Sequence, residues 1–347
     1  LAGAGEAAGN RAVYHGCPDA MTHPRYSFVV PIYNEAETLP ELARRLGAVM
    51  DALDGEAEAI LVDDGSADAS YSILVDLHER DERFKVVRFS RNFGHQVAIT
   101  AGVDFASGDA VVIMDGDLQD PPEVALELVE RWRDGYEVVY AIREDRLEAE
   151  RRPKRLATSI FYRALRRLTD LDIPADVGDF RLVDRRAVEE FKRLREHNRY
   201  VRGLFAWVGF RQVGVPYKRD PRYAGRTKYP FGKLVSLAAD GVVGFSNVPL
   251  RLALTFGFIF SGASFLYGMV AIAKRVLGIG YVPGWASVVA VVTFLGGVQL
   301  IVVGMMGIYV GRIYEEVKQR PLYIVRDAKG VSRELRPEET PILHGLD

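Results

Sequence analysis

Two long stretches without a charged side chain constrain this chain more than anything else in it. From Leu252 to Ala273 the only polar side chains are Thr255, Ser261, Ser264 and Tyr267, and from Trp285 to Val310 there is again no charge. Each run exceeds the roughly 20 residues a helix needs to cross about 30 Å of hydrocarbon. Joined by the short connector Lys274–Gly284, they predict a transmembrane hairpin over residues 250–310 rather than a pair of core helices. The outer flanks carry Arg226, Lys228, Lys233 and Arg251 before and Arg312, Lys318 and Arg320 after, against Lys274 and Arg275 in the connector. That excess predicts cytoplasmic termini on both sides of the hairpin, with residues 311–347 a cytoplasmic tail.

The rest of the 347-residue chain is long enough for one large domain. A net charge of −2 gives no nucleic-acid footprint, and the single cysteine, Cys17, excludes an internal disulfide and fits a reducing compartment. Residues 1–25 are rich in Ala and Gly and lack an apolar core, so they predict a disordered segment and no signal peptide. Gly3-Ala-Gly5 follows no strand and is not a nucleotide-binding glycine pattern.

From Tyr26 the pattern changes. Apolar runs at Ser27–Ile32, Ala59–Val62, Phe84–Phe89, Ala110–Met114 and Val138–Ala141 alternate with helical patterns near Thr38–Leu53, Ser70–Glu79, Gln96–Ala106 and Pro122–Arg133. Short strands alternating with helices predict parallel βαβ units, an α/β domain whose sheet is covered on both faces. Ligands of such sheets bind beyond the carboxyl ends of the strands. The polar clusters Tyr33-Asn-Glu35, Asp63-Asp64, Arg91-Asn92 and Asp115-Gly-Asp117 all fall there.

Asp115 and Asp117, with Gln119 just beyond, group hard oxygen ligands that suit Mg²⁺ or Mn²⁺ carrying a diphosphate. An isolated Asp-x-Asp is more often a surface turn; four polar clusters at four strand ends favour the metal-nucleotide site. Asp63 or Asp64 can instead form an Asx turn, and Asp120 suits a helix cap better than a metal. Pro121 and Pro122 suit the start of the next helix.

Val30-Pro-Ile-Tyr-Asn-Glu35, Val62-Asp-Asp-Gly-Ser66, Arg91-Asn-Phe-Gly94, Asp115-Gly-Asp-Leu-Gln-Asp-Pro-Pro122, Gly178-Asp-Phe-Arg-Leu182 and Arg222-Tyr-Ala-Gly-Arg-Thr-Lys228 together resemble the signature of family 2 glycosyltransferases. Within the family they are most similar to polyprenyl-phosphate glycosyltransferases, the bactoprenol glucosyltransferases and dolichol-phosphate mannose synthases. The resemblance implies a GT-A (Rossmann-like) catalytic domain over residues 26–230. It implies transfer of one hexose, with inversion, from a nucleotide sugar to undecaprenyl or another polyprenyl phosphate. UDP-glucose is the favoured donor, with GDP-mannose and aminoarabinose-type donors as alternatives. It also implies a bacterial inner-membrane location with a cytoplasmic catalytic domain, and a homo-oligomer such as a tetramer.

Carried over by position, the resemblance puts Pro31, Tyr33, Glu35, Val62 and Asp64 in the nucleoside pocket. Asp115, Gly116 and Asp117 would hold the donor, and Asp115, Asp117 and Gln119 the metal. Arg143, Arg181, Arg222 and Lys228 would supply cations to the phosphates of donor and acceptor, as guanidinium and ammonium groups do. Asp179 would position the acceptor or act as a base, or else serve only to hold Arg181. A lipid phosphate, with a second pKa of about 6, is largely dianionic at neutral pH and needs little help from a base.

Two amphipathic stretches complete the reading. Residues 148–168 carry seven Lys or Arg side chains with Leu156, Ile160, Phe161, Leu165 and Leu168 at roughly helical spacing, and residues 231–249 form a second candidate interfacial helix. The first could equally be a solvated helix packed on the catalytic domain. The missing Gln-x-x-Arg-Trp motif and too few spans for a polymer channel disfavour a processive polysaccharide synthase. A non-catalytic binding protein on the same scaffold has little need for the Asp115, Asp117 and Gln119 set.

Overall fold

The computed structural model describes residues 24–144, 177–220, 248–277 and 284–331. Eight strands form one sheet in the order β7-β5-β6-β4-β1-β2-β3-β8. They are β1 Tyr26–Ile32, β2 Ala57–Asp63, β3 Phe84–Phe89, β4 Ala110–Ile113, β5 Val138–Arg143, β6 Val177–Asp184, β7 Gln212–Tyr217 and β8 Val325–Lys329. The helices are α1 Leu39–Ala52, α2 Ser70–Arg80, α3 His95–Phe105, α4 Val124–Arg133, α5 Arg185–Arg193, α6 Val201–Trp207, α7 Val248–Val276 and α8 Trp285–Val317.

Strands β1 and β2 are buried at every position, as expected for a sheet with both faces covered. One core includes Phe28, Val30, Leu61 and Val112 with Leu42 and Leu46 of α1. The other includes Val29, Ile60, Val62 and Ile113 with Ile99 of α3 and Phe191 of α5. Because neighbouring residues of a strand point to opposite faces, one apolar run feeds both cores.

The parallel expectation holds for β1 against β2 and β4, and for β2 against β3. It needs correction at the flanks. Strand β6 runs antiparallel to both β4 and β5, and β8 antiparallel to β3. This matters for the site. Reversing β6 brings its first residues, Gly178 and Asp179, to the same edge as the carboxyl ends of β1, β2, β4 and β5.

Helices α7 and α8 are long and apolar enough to cross a membrane. Their side chains are not those of core helices: Phe265 is 72% exposed and Leu300 75%. Helix α8 continues seven residues beyond Val310, and its last turns carry Arg312, Glu315 and Glu316. Glu316 accepts from the backbone N–H of His197 at 2.8 Å and pairs with its ring Nδ1 at 3.1 Å. The chain then joins the domain itself. Tyr323 stacks on Phe89, the Ser90 N–H donates to the Ile324 carbonyl, and β8 extends the sheet. Nothing in the hydrophobic alternation of the sequence marks β8, which has a single large apolar residue, Val325.

The amphipathic stretch at 148–168, nearly all of 231–249, and residues 1–23, Arg222 and Lys228 lie outside the described residues.

Candidate active site

Two loops at the carboxyl ends of β1 and β2 are knitted together. Asn34, with φ of 53°, donates its N–H to the Ser66 hydroxyl and accepts at its amide oxygen from the Ala67 N–H. The Glu35 N–H donates to the Ser70 hydroxyl. Tyr33 stands exposed between them at 40%. Pro31 and Val62 are buried, and Val62 packs wholly inside the core. What Val62 can offer a ligand at this edge is therefore its backbone.

The aspartate pair divides its work. Asp63 accepts from the Ser66 N–H, forming the Asx turn, and faces Arg88. Asp64 reaches the next loop and accepts from the N–H groups of Phe93 and Gly94, at 2.7 and 3.0 Å. Gly65 has φ of +68°, and a Cβ there would stand 2.6 Å from the Arg91 carbonyl carbon. Glycine is required both by the conformation and by the close approach.

That third loop delivers His95 at the start of α3. Its Nε2 lies 3.3 Å from Asp179 Oδ2 and 3.4 Å from Asp115 Oδ1. Arg202 of α6 closes the cluster, Nε donating to Asp179 Oδ1 at 2.8 Å and Nη2 to Oδ2 at 3.0 Å. Burial alone would lower the His95 pKa, but the bond to Asp179 and the charges of Asp115 and Asp179 prevail and raise it to about 9. Burial likewise pushes Asp179 up, but Arg202 and His95 outweigh it and hold the carboxyl well below the usual range.

Asp115 behaves oppositely. Burial and the like charges of Asp179, Asp120 and Asp117 raise it to about 6 against the opposing pull of His95. Its buried Oδ1 accepts no hydrogen bond. Buried acceptors are rarely left orphaned, so a cation is the natural complement. His95, Asp115 and Asp179 offer three ligand atoms within 4.8 Å of one another. The Asp179 carboxylate, however, is already gripped on both oxygens. The Asp115 and Asp117 edge with Gln119 fits a divalent ion better: its ligands are hard oxygens, and crowding by like charges raises Asp115.

The turn carrying these residues is tighter than an extended strand end. Strand β4 stops at Ile113, Leu118 adopts φ of 57° while buried, and Asp117 Oδ1 accepts from the Gln119 N–H. A Cβ on Gly116 would meet Ile32 Cδ1 at 2.7 Å and the Pro31 carbonyl at 3.3 Å. Glycine at this position is required by packing against β1.

Asp120 needs a correction. Instead of capping α4 it is completely buried and accepts from Tyr217 Oη at 2.5 Å, Arg219 Nε at 3.0 Å and Arg143 Nη2 at 3.4 Å. Arg143 also donates to Tyr217 and lies over Gly178, where a Cβ would come 2.7 Å from its Nη2. Arg181, expected to face a phosphate, is 3% exposed. Its guanidinium donates to the carbonyls of Gly178 and Asp179 and lies 5.3 Å from the Phe205 ring centroid, and burial lowers its pKa to about 10. It is not the Asp179 carboxylate's partner; Arg202 is. His95 and Arg202 escape a reading by motif. Their only signal is a glycine at φ of 104° before a titratable helix start, and an arginine among the apolar residues of a short helix.

A GT-A-like mixed sheet with an acidic turn at its carboxyl edge, followed by long apolar helices, defines a glycosyltransferase domain with a C-terminal hairpin. The profile described as Glycosyl transferase family 2 matches residues 27–192. The chain is 48% identical over 309 residues to the glycosyltransferase YkcC of Bacillus subtilis, covering 89% of this chain and 95% of that protein. It is 41% identical to the SfII prophage-derived bactoprenol glucosyl transferase of Shigella flexneri, over 87% of this chain and 97% of that one. Among solved structures it is similar to the mannosyltransferase PcManGT from Pyrobaculum calidifontis in complex with GDP-Man and Mn2+, with TM-score 0.42, 16% identity, and 88% and 90% coverage. The chain belongs to glycosyl transferase family 2 and is a glycosyltransferase close to the bactoprenol glucosyl transferases.

Proposed function

We propose that this enzyme transfers a hexose, glucose in the favoured case, from a UDP-sugar to a polyprenyl phosphate at the cytoplasmic membrane surface, releasing UDP with inversion at the anomeric carbon. One observation carries the reading. The polar end of the apolar helix α8 is fastened beside the catalytic edge, through Glu316 to His197 and through Ile324 to Ser90, five residues before His95. A site so tethered suits an acceptor whose phosphate sits at the bilayer surface. The bactoprenol glucosyl transferases among the relatives support the same acceptor and sugar.

In this reading the loops of Tyr33–Glu35 and Asp63–Ser66 hold the nucleoside. Asp115 and Asp117, with Gln119, hold Mg²⁺ or Mn²⁺; the ion, when bound, offsets charge developing on the departing diphosphate. Arg143, fixed by Asp120 and Tyr217, faces the phosphates. Arg222 and Lys228 would add further cations for the phosphates. A lipid phosphate oxygen attacks C1 of the sugar as the bond to the nucleoside diphosphate breaks. No proton need be removed from a phosphate that is already dianionic. Asp179, held strongly acidic by Arg202, is a poor base and serves to orient His95 and the Asp115 turn.

The test is mass spectrometry of lipid products formed by the full chain with undecaprenyl phosphate, Mg²⁺ or Mn²⁺ and a mixture of nucleotide sugars. A hexosyl polyprenyl phosphate made from UDP-glucose is the expected product. Absence of any lipid-linked sugar would reject the reading.

A further inference from the structure

We propose that Arg91 receives the phosphate of the lipid acceptor at the membrane-side rim of the site, an assignment that rests on the acceptor reading above. Four observations converge on this side chain. It is exposed at the carboxyl end of β3, directly after Ser90, whose N–H holds the segment returning from α8. It stands at the end of an aromatic ladder: Tyr323 stacks on Phe89 at 5.2 Å, and Phe89 meets Phe93 edge-on at 5.5 Å. The Arg91 guanidinium lies 4.0 Å over the Phe93 ring and donates one N–H to the Asn92 carbonyl.

The backbone beneath it is fixed as well. Gly65 presses on Arg91 and Asn92, and Asp64 clamps the N–H groups of Phe93 and Gly94. The cation is thus preorganised between the end of the membrane helix and the His95 cluster, and little freedom is lost when a ligand binds.

Charge balance separates Arg91 from the other arginines of this edge. Arg143 faces Asp120, Arg202 grips Asp179 and Arg181 is buried. Among the described residues no carboxylate pairs with Arg91, which contacts the Phe93 ring and the Asn92 carbonyl. A stacked guanidinium with its remaining N–H groups open suits two phosphate oxygens at once. The aromatic face beside it offers an apolar surface for the first carbons of the lipid.

The test uses the full chain in detergent with farnesyl phosphate as a short acceptor and UDP as donor probe, comparing wild type, Arg91→Ala and Arg91→Lys. Arg91→Ala is expected to weaken farnesyl phosphate binding about tenfold, as loss of a charged hydrogen-bond pair does, with Arg91→Lys recovering part of it. UDP binding stays within about twofold in both variants and reports that the fold is intact. Unchanged farnesyl phosphate affinity, or a wild type that does not bind it, overturns the assignment. So does a loss confined to UDP, which would make Arg91 a donor contact. A matching loss of association with phosphatidylglycerol vesicles would make it a general surface cation and overturns it too. Product formation is read separately: a wild type that binds farnesyl phosphate through Arg91 yet glycosylates no lipid leaves this assignment standing and removes the transfer reading.

Discussion

Arg202 grips Asp179 with two N–H groups, one to each carboxylate oxygen, at 2.8 and 3.0 Å. Asp179 is almost wholly buried, so removing Arg202 leaves its carboxylate without its two-pronged partner, and His95 holds one oxygen. Arg202→Met is expected to cost about 3 kcal/mol, in the range for breaking one partner of a buried pair. The double variant with Asp179→Asn is expected to cost clearly less than the sum of the single ones, because the orphaned charge disappears. Thermal unfolding of the four proteins measures this. Additive costs would show that the pair does not act as a unit.

Asp117 lies in the same turn as Asp115 and is likewise partly buried, and its Oδ1 accepts from the Gln119 N–H. Asp117→Asn keeps an oxygen for that bond and removes the charge. The turn should stay folded while turnover falls about a hundredfold or more, the scale of losing one electrostatic contact to a developing negative charge. Chelation of divalent ions should silence the wild type equally. An Asp117→Asn enzyme with full activity would move the metal elsewhere, and His95, Asp115 and Asp179 would be the next set to examine.

The legibility of these features follows from where their information resides. Strands β1 to β4 are written as local apolar runs, and the polar clusters at their ends are contiguous motifs, so both can be read from short windows. The reversal of β6 cannot, because pairing direction depends on which neighbour the strand meets. Nor can the cluster around Asp179: His95 is 84 residues away along the chain and Arg202 is 23. Asp120 illustrates the same point. Next to two prolines it looks like a helix cap, and only the sheet brings Tyr217 and Arg219, nearly a hundred positions on, to its carboxylate. Arg181 stands in a recognisable motif, but its burial is set by Phe205 from a different element.

Far from the site, Glu58 gives a pH prediction with a defined sign. It is buried in β2 and accepts from the Ser27 hydroxyl and from both the N–H and hydroxyl of Ser107, with Lys85 at 2.5 Å. Burial pushes its pKa up, but Lys85 and Ser27 outweigh it and the net shift is downward. A carboxyl with a depressed folded pKa contributes stability above its unfolded value, about 4.3, and loses it as pH falls through the folded value. The stability difference between wild type and Glu58→Gln should therefore be largest near neutrality and shrink below about pH 4.3. Melting temperatures of both proteins from pH 7 to pH 3 decide it; a gap that widens in acid would contradict the assignment.

Tyr323 tests whether the apolar helix α8 and the catalytic edge work as one piece. Its ring stacks on Phe89 and its hydroxyl donates to the buried Asp104, which Arg195 also contacts. Tyr323→Phe removes only the hydroxyl, and Arg195 remains to satisfy Asp104, so a loss of about 1 kcal/mol is expected. Tyr323→Ala also removes the stacked ring, and for a partly buried aromatic the loss rises to about 3 kcal/mol. The informative contrast is kinetic. If β8 and Tyr323 set the height of the site above the bilayer, Tyr323→Ala should raise the KM for a membrane-embedded polyprenyl phosphate well above that for a detergent-soluble short-chain one. The KM for the nucleotide sugar should stay close to that of wild type. An equal change for both acceptors would mean that the ladder only stabilises the fold and that the helix is a tether without a set geometry.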